Sequence, residues 1–414
     1  MNKSTSIVVL VAGIIFLLAV VIWINVSDKE NQAVLNLLNN EQALLQHELE
    51  TSKEEGPGEK DQSVYDKNKY QYVGREKCVA CHSRELELWS NSQHDLAMQL
   101  ADKETVLGNF NNAEFTYHGI TSRFYQKDNK YFVTTDNADG KLEDYQIKYT
   151  FGVEPLQQYL IEFPGGRLQA LSIAWDSRPK EQGGQRWFHL YPDENITFDD
   201  PLHWTGIYQN WNFMCADCHS TNIAKNYDPV NKSFNTTWSE IDVSCETCHG
   251  PASKHLAWAS RSNAGKVDES TSDSMGFRFS LAQVKNSEWE IKPGQATASI
   301  VGTGEPADEI KMCVQCHSRR GPIHEAYQPG KPLLDHYLPA LLTDQLYFED
   351  GQIKDEVYVY GSFIQSKMHH EGVTCSDCHE VHSLKLRTQG NALCTRCHDK
   401  QAFDSQIHLL HKEG

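Results

Sequence analysis

Cys78-Val79-Ala80-Cys81-His82 opens a series of six stretches of the form Cys-x-x-Cys-His. The others occupy residues 215–219, 245–249, 313–317, 375–379 and 394–398. Their cysteine pairs are Cys78 and Cys81, Cys215 and Cys218, Cys245 and Cys248, Cys313 and Cys316, Cys375 and Cys378, and Cys394 and Cys397, which account for all 12 cysteines. The spacing has a chemical reason. Two thiols three residues apart can each add to one vinyl group of a haem, and the histidine that follows at once lies under the iron as its proximal ligand. These ligands are His82, His219, His249, His317, His379 and His398. A disulfide framework would not set a histidine behind every second cysteine. Structural zinc uses Cys-x-x-Cys in pairs of pairs without that histidine, and a thioredoxin-like site needs one motif beside a βαβ unit. The expected cofactors are six covalently bound haems c, with iron as the metal.

The opposite axial position decides whether such an iron carries electrons or does chemistry, because a second strong ligand closes it to substrate. The chain has 19 histidines. Beyond the proximal ones, position singles out His94, His203, His255, His370, His382 and His408 as distal candidates. His369 stands beside His370, and nothing in the sequence separates the two. His118, His189, His324 and His336 rank lower, and His47 reads as a solvated residue of a stalk. Met98 reads as core packing, the usual role of a helical methionine.

Around the motifs the chain divides into five parts. Residues 7–26 (IVVLVAGIIFLLAVVIWINV) carry no charge and are long enough to cross a bilayer as a helix. Lys3 precedes them, and no small-x-small cleavage site follows, so residues 1–26 read as an uncleaved anchor that exports the remainder. Residues 27–69 read as an amphipathic helical stalk and a Gly56-Pro57-Gly58 linker. Residues 70–109 form the first haem segment, with a helix-like run from Glu85 to Met98. Residues 110–205 lack cysteine and are aromatic and β-branched, with a polar turn at Lys127-Asp128-Asn129-Lys130. They read as a small β-rich insert. Residues 206–414 hold the other five motifs among short helices and turns. The expected fold is therefore mainly α and irregular, with that insert and an N-terminal transmembrane helix.

Net charge is −18 and only 39% of residues are hydrophobic. The acidity argues against nucleic acid as a partner and suits a small basic redox protein. Haem faces would supply apolar surface that the polypeptide lacks.

Tyr72-Val73-Gly74 through His82, then Trp89 and His94, resembles the opening of the cytochrome c-554-like multihaem proteins. Residues 201–215, residues 245–255 and Gly372-Val373-Thr374-Cys375-Ser376-Asp377-Cys378-His379 are similar to multihaem cytochromes with repeated Cys-x-x-Cys-His motifs. The resemblance runs over nearly all the chain from residue 70. It implies an electron-transfer protein, mostly helical around stacked haems. Many relatives carry a further motif and tetratricopeptide repeats, so this chain reads as a short member or a fragment. The expectation is a hexahaem carrier, single-pass in the cytoplasmic membrane with its bulk on the exported side. It would move electrons from a quinone-linked donor to a periplasmic or outer-membrane acceptor, with oligomers possible. The rival reading is a reductase of a small nitrogen or sulfur oxyanion at one five-coordinate haem, for which Arg319, Arg320 and Tyr327 lie near motif four.

Overall fold

The computed structural model describes residues 70–263, 274–279, 281, 287–302 and 307–403. The largest regular assembly in it is a nine-stranded antiparallel sheet. Its strands are β1 (Met98–Leu100), β2 (Ala113–Tyr117), β3 (Ile120–Lys127), β4 (Lys130–Asp136), β5 (Leu142–Phe151), β6 (Leu156–Phe163), β7 (Arg167–Ala170), β8 (Ile173–Asp176) and β9 (Arg186–His189). The main path runs β2-β3-β4-β5-β6-β8-β9, with β1 on β5 and β7 on β6. Two tight turns start the meander. His118 and Gly119 join β2 to β3, and Asp128 and Asn129 join β3 to β4, all four with positive φ. That is the left-handed pair a two-residue hairpin needs to match strand twist.

The sheet curls into a nearly closed barrel whose seam is made by one tyrosine. The Tyr117 ring of β2 stacks on His189 of β9 with centroids 3.7 Å apart. Its hydroxyl donates to the carbonyls of Tyr191 and Glu194 and accepts from the Ile196 amide. Alternation along the strands fills the interior. Phe124, Tyr131, Val133, Ile147, Tyr159 and Trp187 pack around Phe110, with Phe124 stacked on Trp187 at 3.6 Å. A second cluster, Met98, Phe151, Leu160, Trp211 and Ala216, fastens the sheet to motif two.

Three expectations are corrected here. The fold is not mainly α. The helices at the motifs are short, as in Ala216–His219, Cys245–His249 and Cys375–Cys378, because a Cys-x-x-Cys-His unit needs only one helical turn to present its three side chains. Regular structure therefore concentrates in the sheet. The helix-like run from Glu85 to Met98 is a helix only over Ser83–Trp89. It stops before Asn91, whose φ is 62°, and Met98 opens strand β1. The transmembrane helix and the single-pass localisation are also not sustained. No helix among the described residues is long and apolar enough to cross a membrane, and residues 7–26, like the stalk at 27–69, lie outside those described.

Candidate haem-binding array

Each motif closes on itself through helical hydrogen bonds. The histidine amide bonds the first cysteine carbonyl at 3.0 Å for His82, 2.9 Å for His379 and 3.0 Å for His398. One turn therefore turns both thiols and the imidazole to the same side. No cysteine is in a disulfide.

The motifs lie against one another in a definite order. Motif three reaches back to motif one through Glu246, 1% exposed. Its carboxylate accepts from the amides of Val73 at 2.9 Å and Gly74 at 2.8 Å, and from Ala252 at 2.8 Å. Motif four bonds motif three where Gln315 Nε2 donates to the Thr247 carbonyl at 3.1 Å. It meets motif two where Cys218 and Cys316 each point Sγ at the other motif's backbone carbonyl, both at 3.9 Å. Thr221 and Thr247 hydroxyls, 2.8 Å apart, join motifs two and three. Motif five is held to the helix of motif four (Ala307–His317) by Glu309. That carboxylate accepts from the Ser376 amide at 2.8 Å, the Ser376 hydroxyl at 2.6 Å and the Thr374 hydroxyl at 3.1 Å. Motif six joins five through Arg396, which donates to the Asp377 carbonyl. Motifs two, three and four thus meet in the middle, motif one extends from three, and five and six extend from four. Cys81 and Cys394, in the two outermost motifs, are the exposed cysteines.

The histidines show what this arrangement fits. With metal–imidazole bonds of about 2 Å and about 1 Å more to each ring centre, two axial imidazoles on one iron stand with centroids roughly 6 Å apart. His82 and His255 are 6.2 Å apart by centroid, and so are His94 and His317. Each pair sets a motif histidine opposite one of the distal candidates. His255 Nδ1 bonds the Met275 carbonyl at 2.8 Å. His219 Nδ1 bonds the Ala97 carbonyl at 2.9 Å, and His379 Nδ1 bonds the Leu384 carbonyl at 3.0 Å. Such a bond fixes the tautomer and leaves Nε2 free for a metal. Burial, then the charges of His317 and His219, lowers the His94 pKa to about 4. Burial, then His382, His82 and His255, does the same for His249. Both rings are thereby kept in the neutral form that ligation requires. Phe213 and Met214, apolar yet exposed, directly precede Cys215 and suit the apolar face of a macrocycle. The residues present fit the group.

The remaining candidates separate. His382 lies in the charge field of His249 and bonds Glu380 through Nδ1 at 3.2 Å. His203 is differently placed: Nδ1 bonds Thr205 at 2.8 Å and Nε2 bonds Asp136 at 3.2 Å. Both nitrogens are engaged, and the ring is a buried strut at the barrel end with no lone pair for iron. Burial raises the Asp136 pKa, yet the bond and charge of His203 hold it below the usual carboxylate range. His370 is exposed beside His369, centroids 5.8 Å apart, and no described motif histidine stands opposite it. His408 lies outside the described residues. His336, a lower-ranked residue, is 2% exposed and packs against His324 and Tyr327. Sequence reasoning did not find Glu246 or Glu309 as junction residues. For Glu246 the available signal was an acid inside a Cys-x-x-Cys unit.

Residues 205–250 match the model of the family described as cytochrome c554 and c-prime. A solved structure, that of the outer cell wall cytochrome OcwA, aligns with a TM-score of 0.47 at 18% identity, covering 80% of this chain and 68% of that one. A likeness that loose fixes neither fold nor function. Nothing among curated proteins matches the chain. The segment carrying motifs two and three is thus similar to the cytochrome c554 and c-prime family.

Proposed function

We propose that the chain is a hexahaem electron-transfer protein, with electrons entering beside one outermost motif and leaving beside the other. The observation that carries the reading is the unbroken run of motif-to-motif contacts, with exposed cysteines only at motifs one and six. Cys-x-x-Cys-His units in contact place successive redox centres at neighbouring positions, and no substrate pocket is needed for relay. When bound, haem supplies reversible one-electron chemistry at iron. The protein's own residues would hold the imidazoles neutral and oriented, a reading supported by the burial that lowers the His94 and His249 pKa values and by the Nδ1-bonded rings. A quinone-linked donor and a separate terminal acceptor belong to this proposal. The net charge of −18 supports basic redox proteins as the exchanging partners.

The test is low-temperature EPR of the oxidised protein, with haem counted by pyridine haemochrome. Six haems per chain, all low-spin, are expected. A stoichiometric high-spin signal moved by nitrite or hydroxylamine would sink the pure carrier and favour the reductase.

A further inference from the structure

Lys225 is 5% exposed. Its ammonium stands 3.6 Å from Asp217 Oδ2, beyond hydrogen-bond reach, and 5.1 Å from the centre of the Phe213 ring. Among the described residues it has no hydrogen-bond acceptor, although an ammonium carries three donors. It lines a cavity of ≈ 50 Å³ where motifs two, three and four meet, together with Asp217, Gln315, Tyr327 and Tyr337. Arg320, its side chain 7% exposed, also turns to Asp217, at 3.7 Å. Its other donors are spent on the Gln315 carbonyl and Cys218 Sγ, and its plane covers the Tyr337 ring at 3.7 Å. Two buried cations therefore share one carboxylate. The other charged groups of the cavity, His324 and Glu325, are exposed at its rim, where solvent screens them. A buried ammonium whose donors find no acceptor within hydrogen-bond reach is strongly unfavourable, and the one carboxylate it faces is shared with Arg320.

We propose that Lys225 anchors a singly charged oxygen anion in this cavity, either a carboxylate or a small oxyanion. The volume has room for a head group of a few atoms. One source is a propionate of a haem held at the meeting motifs, which rests on the function proposed above. The other is a free oxyanion, which does not.

The experiment uses the holoprotein as wild type, Lys225→Gln and Lys225→Arg, with haem content measured first. A shortfall in wild-type haem would count against the hexahaem reading and leave the calorimetric arm standing. Nitrate is the probe for a free anion, followed by isothermal titration calorimetry. One site per chain, weakened at least tenfold by Lys225→Gln and recovered by Lys225→Arg, supports the oxyanion. Absence of nitrate binding, with a propionate-bending band in the resonance Raman spectrum moved by Lys225→Gln and restored by Lys225→Arg, supports the carboxylate. If nitrate does not bind and the band stays in place, or if nitrate binds Lys225→Gln as tightly as wild type, the proposal is overturned.

Discussion

At the level of single residues, the proximal half of each site was legible because its chemistry is local. Two cysteines and a histidine on one helical turn declare themselves by spacing alone. The distal half depends on which segments come to face each other, and spacing does not say. His255 and His94, chosen for lying near a motif, prove to oppose His82 and His317, from motifs other than those they follow. His203 was chosen on the same ground and instead braces Asp136. The two kinds of histidine predict opposite results. If the proposed haem pairing holds, His255→Ala should convert one haem to high spin, read by EPR, while the haem count stays the same. An unchanged low-spin spectrum would refute the pairing. His203→Ala should leave the EPR spectrum alone and lower stability by about 1–3 kcal/mol, the cost of stripping a buried partner from Asp136, measured by chemical denaturation of the holoprotein.

At the level of elements, the barrel was half visible. Alternation from Ala113 onward and the Lys127–Lys130 turn mark strands, but β1 hides inside a haem segment, and three residues carry no readable period. The closure by Tyr117 on His189 is a side-chain event between distant strands. The junctions between motifs were invisible, since a buried acid looks like any other acid until its partners are known. Glu246→Ala strands the amides of Val73, Gly74 and Ala252, and should cost about 2–3 kcal/mol and loosen motif one first, as hydrogen exchange would show. Asp242, beside the same junction, tests the electrostatics. Arg75 serves three carboxylates, Asp242 at 2.7 Å, Glu240 at 3.3 Å and Asp95 at 3.7 Å. Its own charge is secured, yet burial still pushes Asp242 up to about 6. An acid whose pKa rises on folding holds its proton more tightly in the fold. Its effect is therefore a loss of stability as pH climbs from about 4, the unfolded value, to about 6, and no further loss above that. Asp242→Asn should flatten that decline in denaturation midpoints measured from pH 4 to 7. An identical slope would show that Asp242 is not its source.

At the level of the whole molecule, charge sets how it meets a partner. With −18 overall, reduction by a small basic redox protein should slow roughly tenfold or more as ionic strength rises from about 0.01 to 0.15 M, because the screening length shrinks from about 30 to 8 Å. Stopped-flow rates indifferent to salt would place the contact on a neutral surface. One feature of the architecture also bears on how the molecule is made. Val73 bonds Glu246 across a separation of 173 residues, with the whole barrel between. On a ribosome, motif one emerges and waits while all nine strands are synthesised before its neighbour exists. The meander, built of hairpins between successive strands, is free to fold during that wait, and strand β1 then holds residue 98 beside Trp211 and Ala216. The barrel thereby shortens the search by which the first and third motifs find each other. Maturation has a built-in timetable: motif one is the first to be synthesised, yet it is enclosed only once motif three has followed it.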